Sequence, residues 1–165
     1  MHVLQLLLAA SLTQTTAPAS PTIPDSLDFR IVRAIPVQHD GRWMPLDTLA
    51  RDMVDSVTGT PRWQRHDPVA LLLAWTFDSA RWMQQPLIEI GNAELRRELQ
   101  LPADQTVFSY EMLLRHQRLR QLMDDLAMVQ GRKLDPLESK VRDIRERLTW
   151  LDTILAGQAI HLIPH

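Results

Sequence analysis

The stretch AIPVQHDGRWMPLDTLARDMVDSVTG, from Ala34 to Gly59, decides the fold. It reads as a tight hairpin feeding directly into an amphipathic helix. Asp40-Gly41 is a two-residue turn signal, because both central positions of a type I′ turn need positive φ. Pro45 suits a first helical position, and Asp47 places an acid in the first turn, where the helix dipole favours it. Leu46, Leu49, Ala50, Met53, Val54 and Val57 recur at helical spacing and give one apolar face. Gly59 is placed to stop the helix in a left-handed conformation.

Ahead of the hairpin, FRIVRAIPV (29–37) alternates as a strand, with Phe29, Ile31 and Arg33 on one side. Behind the helix, TGTPRWQRH is a loop that would expose Trp63. Asp67-Pro68 pairs an N-cap with a first-turn proline and predicts a second helix from Pro68 to about Met83. Its apolar residues lie on several sides, as in a central, well-covered helix. Leu87, Ile88 and Ile90 form a short extended segment, and Asn92 caps a short helix carrying Leu95 and Leu99. Ser109 caps a long helix from Tyr110 to about Gln130.

The last helix has the cleanest pattern. Asp135-Pro136-Leu137-Glu138 combines a capping-box pair with a first-turn proline. Leu137, Val141, Ile144, Leu148, Leu151 and Leu155 then alternate steps of four and three, a sustained heptad seam. Glu138 with Arg142 and Asp143 with Arg147 have ion-pair spacing. The two long helices predict an antiparallel hairpin, and AIHLIP (159–164) a strand beside the one near Ile31. The fold class is mainly α with a small β element: an N-terminal hairpin plus amphipathic helix, then a C-terminal antiparallel helical hairpin.

At 165 residues the chain is long enough for one domain with a real core. With 18 Lys+Arg against 20 Asp+Glu it is not built to bind nucleic acid. The absence of cysteine excludes disulfides, thiolate metal sites and covalent haem attachment through CxxCH. Val3 to Leu12 is a short apolar stretch followed by a polar run, and Ala17-Pro18-Ala19 has the form of a signal-peptidase site. Residues 1–19 therefore read as a signal peptide, 20–27 as a linker and 28–165 as a single, mostly helical exported domain. A mis-called start codon or a short uncleaved anchor is the alternative for the first segment. Beyond it, no run approaches the roughly 20 apolar residues of a membrane span.

The six histidines form no HxxxH, HExxH or other dense ligand set. His39 stands apart, since a turn position would expose its imidazole. No nucleophile elbow, phosphate-cradling glycine loop or paired-carboxylate signature is present. The densest polar set is Gln38, His39, Arg42, Asp47 and Arg51. Asp47 and Arg51 are an i,i+4 pair, and Arg42, Asp47 and Arg51 are expected to hold the hairpin against the helix N-terminus. That role is structural, with no cofactor bound.

Read as a string, Pro36-Val37-Gln38, Gly41-Arg42 and Pro45-Leu46-Asp47-Thr48-Leu49-Ala50-Arg51 resembles the extracytoplasmic domain of the CcsA/ResB-type (System II) cytochrome c biogenesis proteins. Phe77-Asp78, Trp82, Pro86-Leu87-Ile88, Gly91-Asn92 and Glu94-Leu95-Arg96 continue the resemblance in the same order. Met44 stands where the family has a basic residue. The family's membrane helices and tryptophan-rich haem-binding segment have no counterpart in this sequence. The resemblance thus implies a non-enzymatic periplasmic accessory module that docks on a membrane-embedded cytochrome c assembly protein. Gln38, His39, Arg42, Pro45, Asp47 and Arg51 are the candidate interaction residues. A generic exported helical adaptor with no haem connection is the alternative.

Overall fold

The computed structural model describes residues 28–162 together with Pro21 and Ile23. The expected signal segment and its cleavage point lie outside the described residues. Ile23, inside the expected linker, is buried in the core, so the folded part reaches further towards the N-terminus than Asp28.

The turn at Asp40-Gly41 forms as the sequence predicts. Both residues have positive φ, 48° and 73°, and they join β1 (Pro36–His39) to β2 (Arg42–Pro45) in an antiparallel pair. The tail strand β5 (His161–Leu162) pairs antiparallel with the other edge of β1, opposite Val37 and Gln38. The sheet therefore starts later than the expected strand over 29–37. Asp28 accepts the Arg30 N–H at 3.0 Å, a local side-chain turn that competes with extension. A 3₁₀ turn at Val32–Ala34 follows and leaves Ile31 exposed.

Pro45 is the residue before α1 (Leu46–Thr58) rather than its first residue. No side chain caps this helix. Instead the Leu46 N–H donates to Ile35 O at 2.9 Å, so one backbone bond ends the hairpin and satisfies a helix-start donor. All six periodic apolar residues of α1 are buried, and Gly59 closes the helix at φ 78°.

Asp67 caps α2 (Pro68–Phe77), its Oδ1 accepting from Val69 N and Ala70 N. The expected single helix to Met83 breaks at Asp78 (φ −129°, ψ 41°), and α3 (Ser79–Trp82) starts there. The break lets Trp82 turn back edge-on to Trp75, 6.2 Å between centroids. Trp63 packs on Trp82 in turn, 6.0 Å away, so it is half-buried rather than exposed.

Strand β3 (Pro86–Glu89) pairs antiparallel with β4 (Val107–Ser109), a partner the sequence did not reveal. Between them lies α4 (Ala93–Glu98), capped by Asn92 Oδ1 on Leu95 N at 2.7 Å. The expected long helix from Tyr110 is two helices. Ser109 caps α5 (Tyr110–Arg115); His116, in extended backbone, then accepts the Leu119 N–H on Nδ1 and starts α6 (Gln117–Ala127). α7 (Pro136–Leu155) has the expected capping box and buries Val141, Ile144, Leu148, Leu151 and Ile154. It packs on α6 as a helical hairpin and also on α1 and α2, so the seam faces the domain core. The molecule is mainly α with a small β element.

Candidate functional site

Alternation along the β1–β2 hairpin divides the motif residues between two faces. Val37 with Met44 and His39 with Arg42 are cross-strand pairs on the inner face; Pro36 with Pro45 and Gln38 with Trp43 are pairs on the outer face. Gln38, Trp43 and Pro45 are exposed, Trp43 to 70%.

His39 is not presented to solvent by its turn. Its ring tilts against Trp150 of α7, 5.7 Å between centroids, and its Nε2 lies 3.4 Å from Asp40 Oδ2. This ring pair separates two open clefts. One, of about 350 Å³, is lined by Arg42, Met44, Asp52, Met53 and Ser56; the other, of about 470 Å³, by Gln38, Thr153, Gln158 and His161. Among the described residues no group of three or more His, Cys, Asp or Glu is placed to hold a metal ion.

Asp47 and Arg51 do meet: Arg51 Nε donates to Asp47 Oδ2 at 2.9 Å. Arg42 does not join them. Arg33, placed on a strand face by the sequence reading, takes its position and donates from Nη1 to Asp47 Oδ1 at 2.9 Å. Arg33 Nη2 also bonds Asp67 Oδ2, whose other oxygen caps α2. A relay Arg51–Asp47–Arg33–Asp67 thus fastens the start of α1, the 3₁₀ turn and the start of α2. The hydrogen bond from Arg51, with the charges of Arg51 and Arg33, holds the Asp47 carboxyl below the usual carboxylate range. Arg33 was missed because its neighbours alternate like a strand, and Trp150 because its partner lies in a distant turn.

The motif therefore has two fates. Leu46, Asp47, Leu49 and Arg51 serve the fold, whereas Gln38, Arg42, Trp43 and Pro45 remain accessible on the hairpin. Comparison with models of known families and with curated proteins finds no match. Among the described residues no helix is long and apolar enough to cross a membrane.

Proposed function

We propose that this chain is a non-enzymatic periplasmic module of cytochrome c assembly that docks on a membrane-embedded, haem-handling partner. The string from Pro36 to Arg51, similar to the extracytoplasmic domain of the System II proteins, motivates the reading. The observation that carries it is the division of that string. Its outer face presents the exposed Trp43, and Arg42, next to the turn, stays accessible at the end of the inner face; tryptophan and arginine are side-chain types enriched at the centres of protein interfaces. Its inward part holds that turn in place.

The test is affinity capture from detergent-solubilised membranes with the full chain, comparing wild type, Trp43→Ala and Arg42→Glu. Recovery of a multi-span protein with a tryptophan-rich segment, reduced in both variants at unchanged melting temperature, is the expected result. Equal recovery by all three would overturn the docking face. Capture of soluble proteins alone would favour the adaptor reading. The isolated domain mixed with haem is expected to give no stoichiometric, His39-dependent absorbance change. A tight complex lost in His39→Ala would make it a haem carrier instead.

A further inference from the structure

A cleft of about 380 Å³ lies between the turn joining β3 to α4 and the side of α7. Gly91 and Asn92 form one wall, and Lys140 and Arg147 are among the residues of the other. Helical spacing assigns Asp143 to Arg147 as an ion-pair partner, but that pair does not form. Asp143 instead accepts from Lys140 Nζ at 3.2 Å and from Arg142 Nη2 at 3.3 Å. The companion pair is also replaced: Glu138 bonds Arg132, and Arg142 faces Glu146.

Arg147 is left without an ion-pair partner among the described residues. Its guanidinium lies over Gly59 at the end of α1, where a Cβ would meet Nη2 at 3.1 Å. Nη1 is buried and has no hydrogen-bond partner, and no carboxylate among the described residues comes within ion-pair distance of this side chain. The negative end of the α1 dipole offsets part of the charge, yet no carbonyl there accepts from Nη1. A guanidinium nitrogen withdrawn from water without an acceptor is costly, and natural folds seldom keep one without a use. The facing wall is braced: Arg96 Nη1 donates to Ile90 O and Gly91 O, each at 2.8 Å.

We propose that this cleft binds a compact monocarboxylate, with Arg147 as its anchor and Lys140 as a second cation. Glu89 and Asp143 also line the cleft and disfavour multiply charged anions such as phosphate. Engagement requires the guanidinium to swing off Gly59 into the cleft, an adjustment open to the far end of a flexible side chain. This site is separate from the hairpin face and does not depend on the docking proposal.

The experiment is a titration of the full chain, followed by ¹H–¹⁵N spectra of backbone amides and arginine Nε–H groups at constant ionic strength. The probes are acetate, a short N-acetylated peptide with a free C-terminus, the same peptide amidated, and inorganic phosphate. Saturable shifts at Gly91, Asn92 and Arg147 Nε are expected with acetate and the free-acid peptide and not with the amide or phosphate. Tighter binding of the peptide would identify a chain terminus as the source; equal binding would identify a small molecule. Arg147→Gln is expected to abolish the shifts, and Lys140→Gln to weaken binding about tenfold, as for one charge-assisted contact. Shifts that also appear with the amide, or that persist in Arg147→Gln, would overturn the site. The acid-against-amide contrast uses the unaltered chain and stands even where a variant fails to fold.

Discussion

Arg33 donates to Asp47 at 2.9 Å across a part-buried contact between the 3₁₀ turn and the first turn of α1. The two residues are fourteen apart in sequence, and Arg33 uses its second amino group on Asp67. Arg33 thus ties both helix starts together.

Arg33→Ala is therefore expected to destabilise the domain by roughly 1–2 kcal/mol, through lost charge-assisted bonds and two carboxylates left short of a partner. The side chain is about a third exposed, which keeps the figure at the lower end of the range for buried pairs. Arg42→Ala should stay within about 0.5 kcal/mol, since Arg42 is exposed and outside the relay. Urea denaturation of both variants checks the order; a larger loss in Arg42→Ala would return the anchoring role to the hairpin.

What was legible in the sequence was what neighbouring residues determine. The Asp40-Gly41 turn, the buried face of α1, the Asp67 and Asn92 caps and the α7 seam all follow from signals within a few residues. The breaks at Asp78 and His116 were not legible, because each is a change in one residue's backbone angles that leaves the apolar pattern on either side intact. Met112 and Leu119 are seven apart and look like one stripe, yet Met112 is exposed and Leu113 is buried. In the candidate site, the i,i+4 pair of Asp47 and Arg51 was readable. Arg33, its bond to Asp67, and Trp150 were not, since these contacts form only when distant segments pack.

The relay also carries a pH dependence. The folded Asp47 carboxyl titrates below its unfolded value, about 3.9, so between the two values the unfolded chain binds more protons. Its contribution is complete above the unfolded value and is lost as pH falls through the folded one. Glu138 acts with the same sign: the hydrogen bond from Arg132, then the Asp135 N–H, holds it at about 2. Asp47→Asn and Glu138→Gln are each expected to lower stability at neutral pH and to flatten its decline under acid. Urea midpoints measured from neutrality down to about pH 2 check this. Acid profiles parallel to wild type would show that neither carboxylate is linked to folding.

Tyr110 is the only tyrosine, so its ionisation can be read directly by ultraviolet absorbance. Burial, followed by its 2.7 Å hydrogen bond to Asp152 and the charge of that carboxylate, raises the phenol well above its ordinary value. A raised phenol adds stability that is complete below about 10, the unfolded value, and is lost as pH rises through the folded one. The phenolate signal is therefore expected only as the domain unfolds in alkali. Tyr110→Phe should cost about 1 kcal/mol, the worth of one hydrogen bond between α5 and α7. A reversible titration near pH 10 in the folded domain would mean that Tyr110 is not engaged with Asp152.

Gly59 and Gly41 share the left-handed backbone, at φ 78° and 73°, but differ in surroundings. A Cβ on Gly41 would meet nothing within 4 Å, whereas one on Gly59 would press on the Arg147 guanidinium at 3.1 Å. Backbone strain alone costs about 1–2 kcal/mol for either alanine. The additional contact at Gly59 falls on the end of a flexible side chain whose Nη1 has no partner to lose. Gly59→Ala is thus expected to cost no more than Gly41→Ala, and adding Arg147→Gln should not rescue it. Chemical denaturation of the three variants decides the point. An excess loss in Gly59→Ala that Arg147→Gln relieves would show the guanidinium locked in place, unable to swing into the cleft.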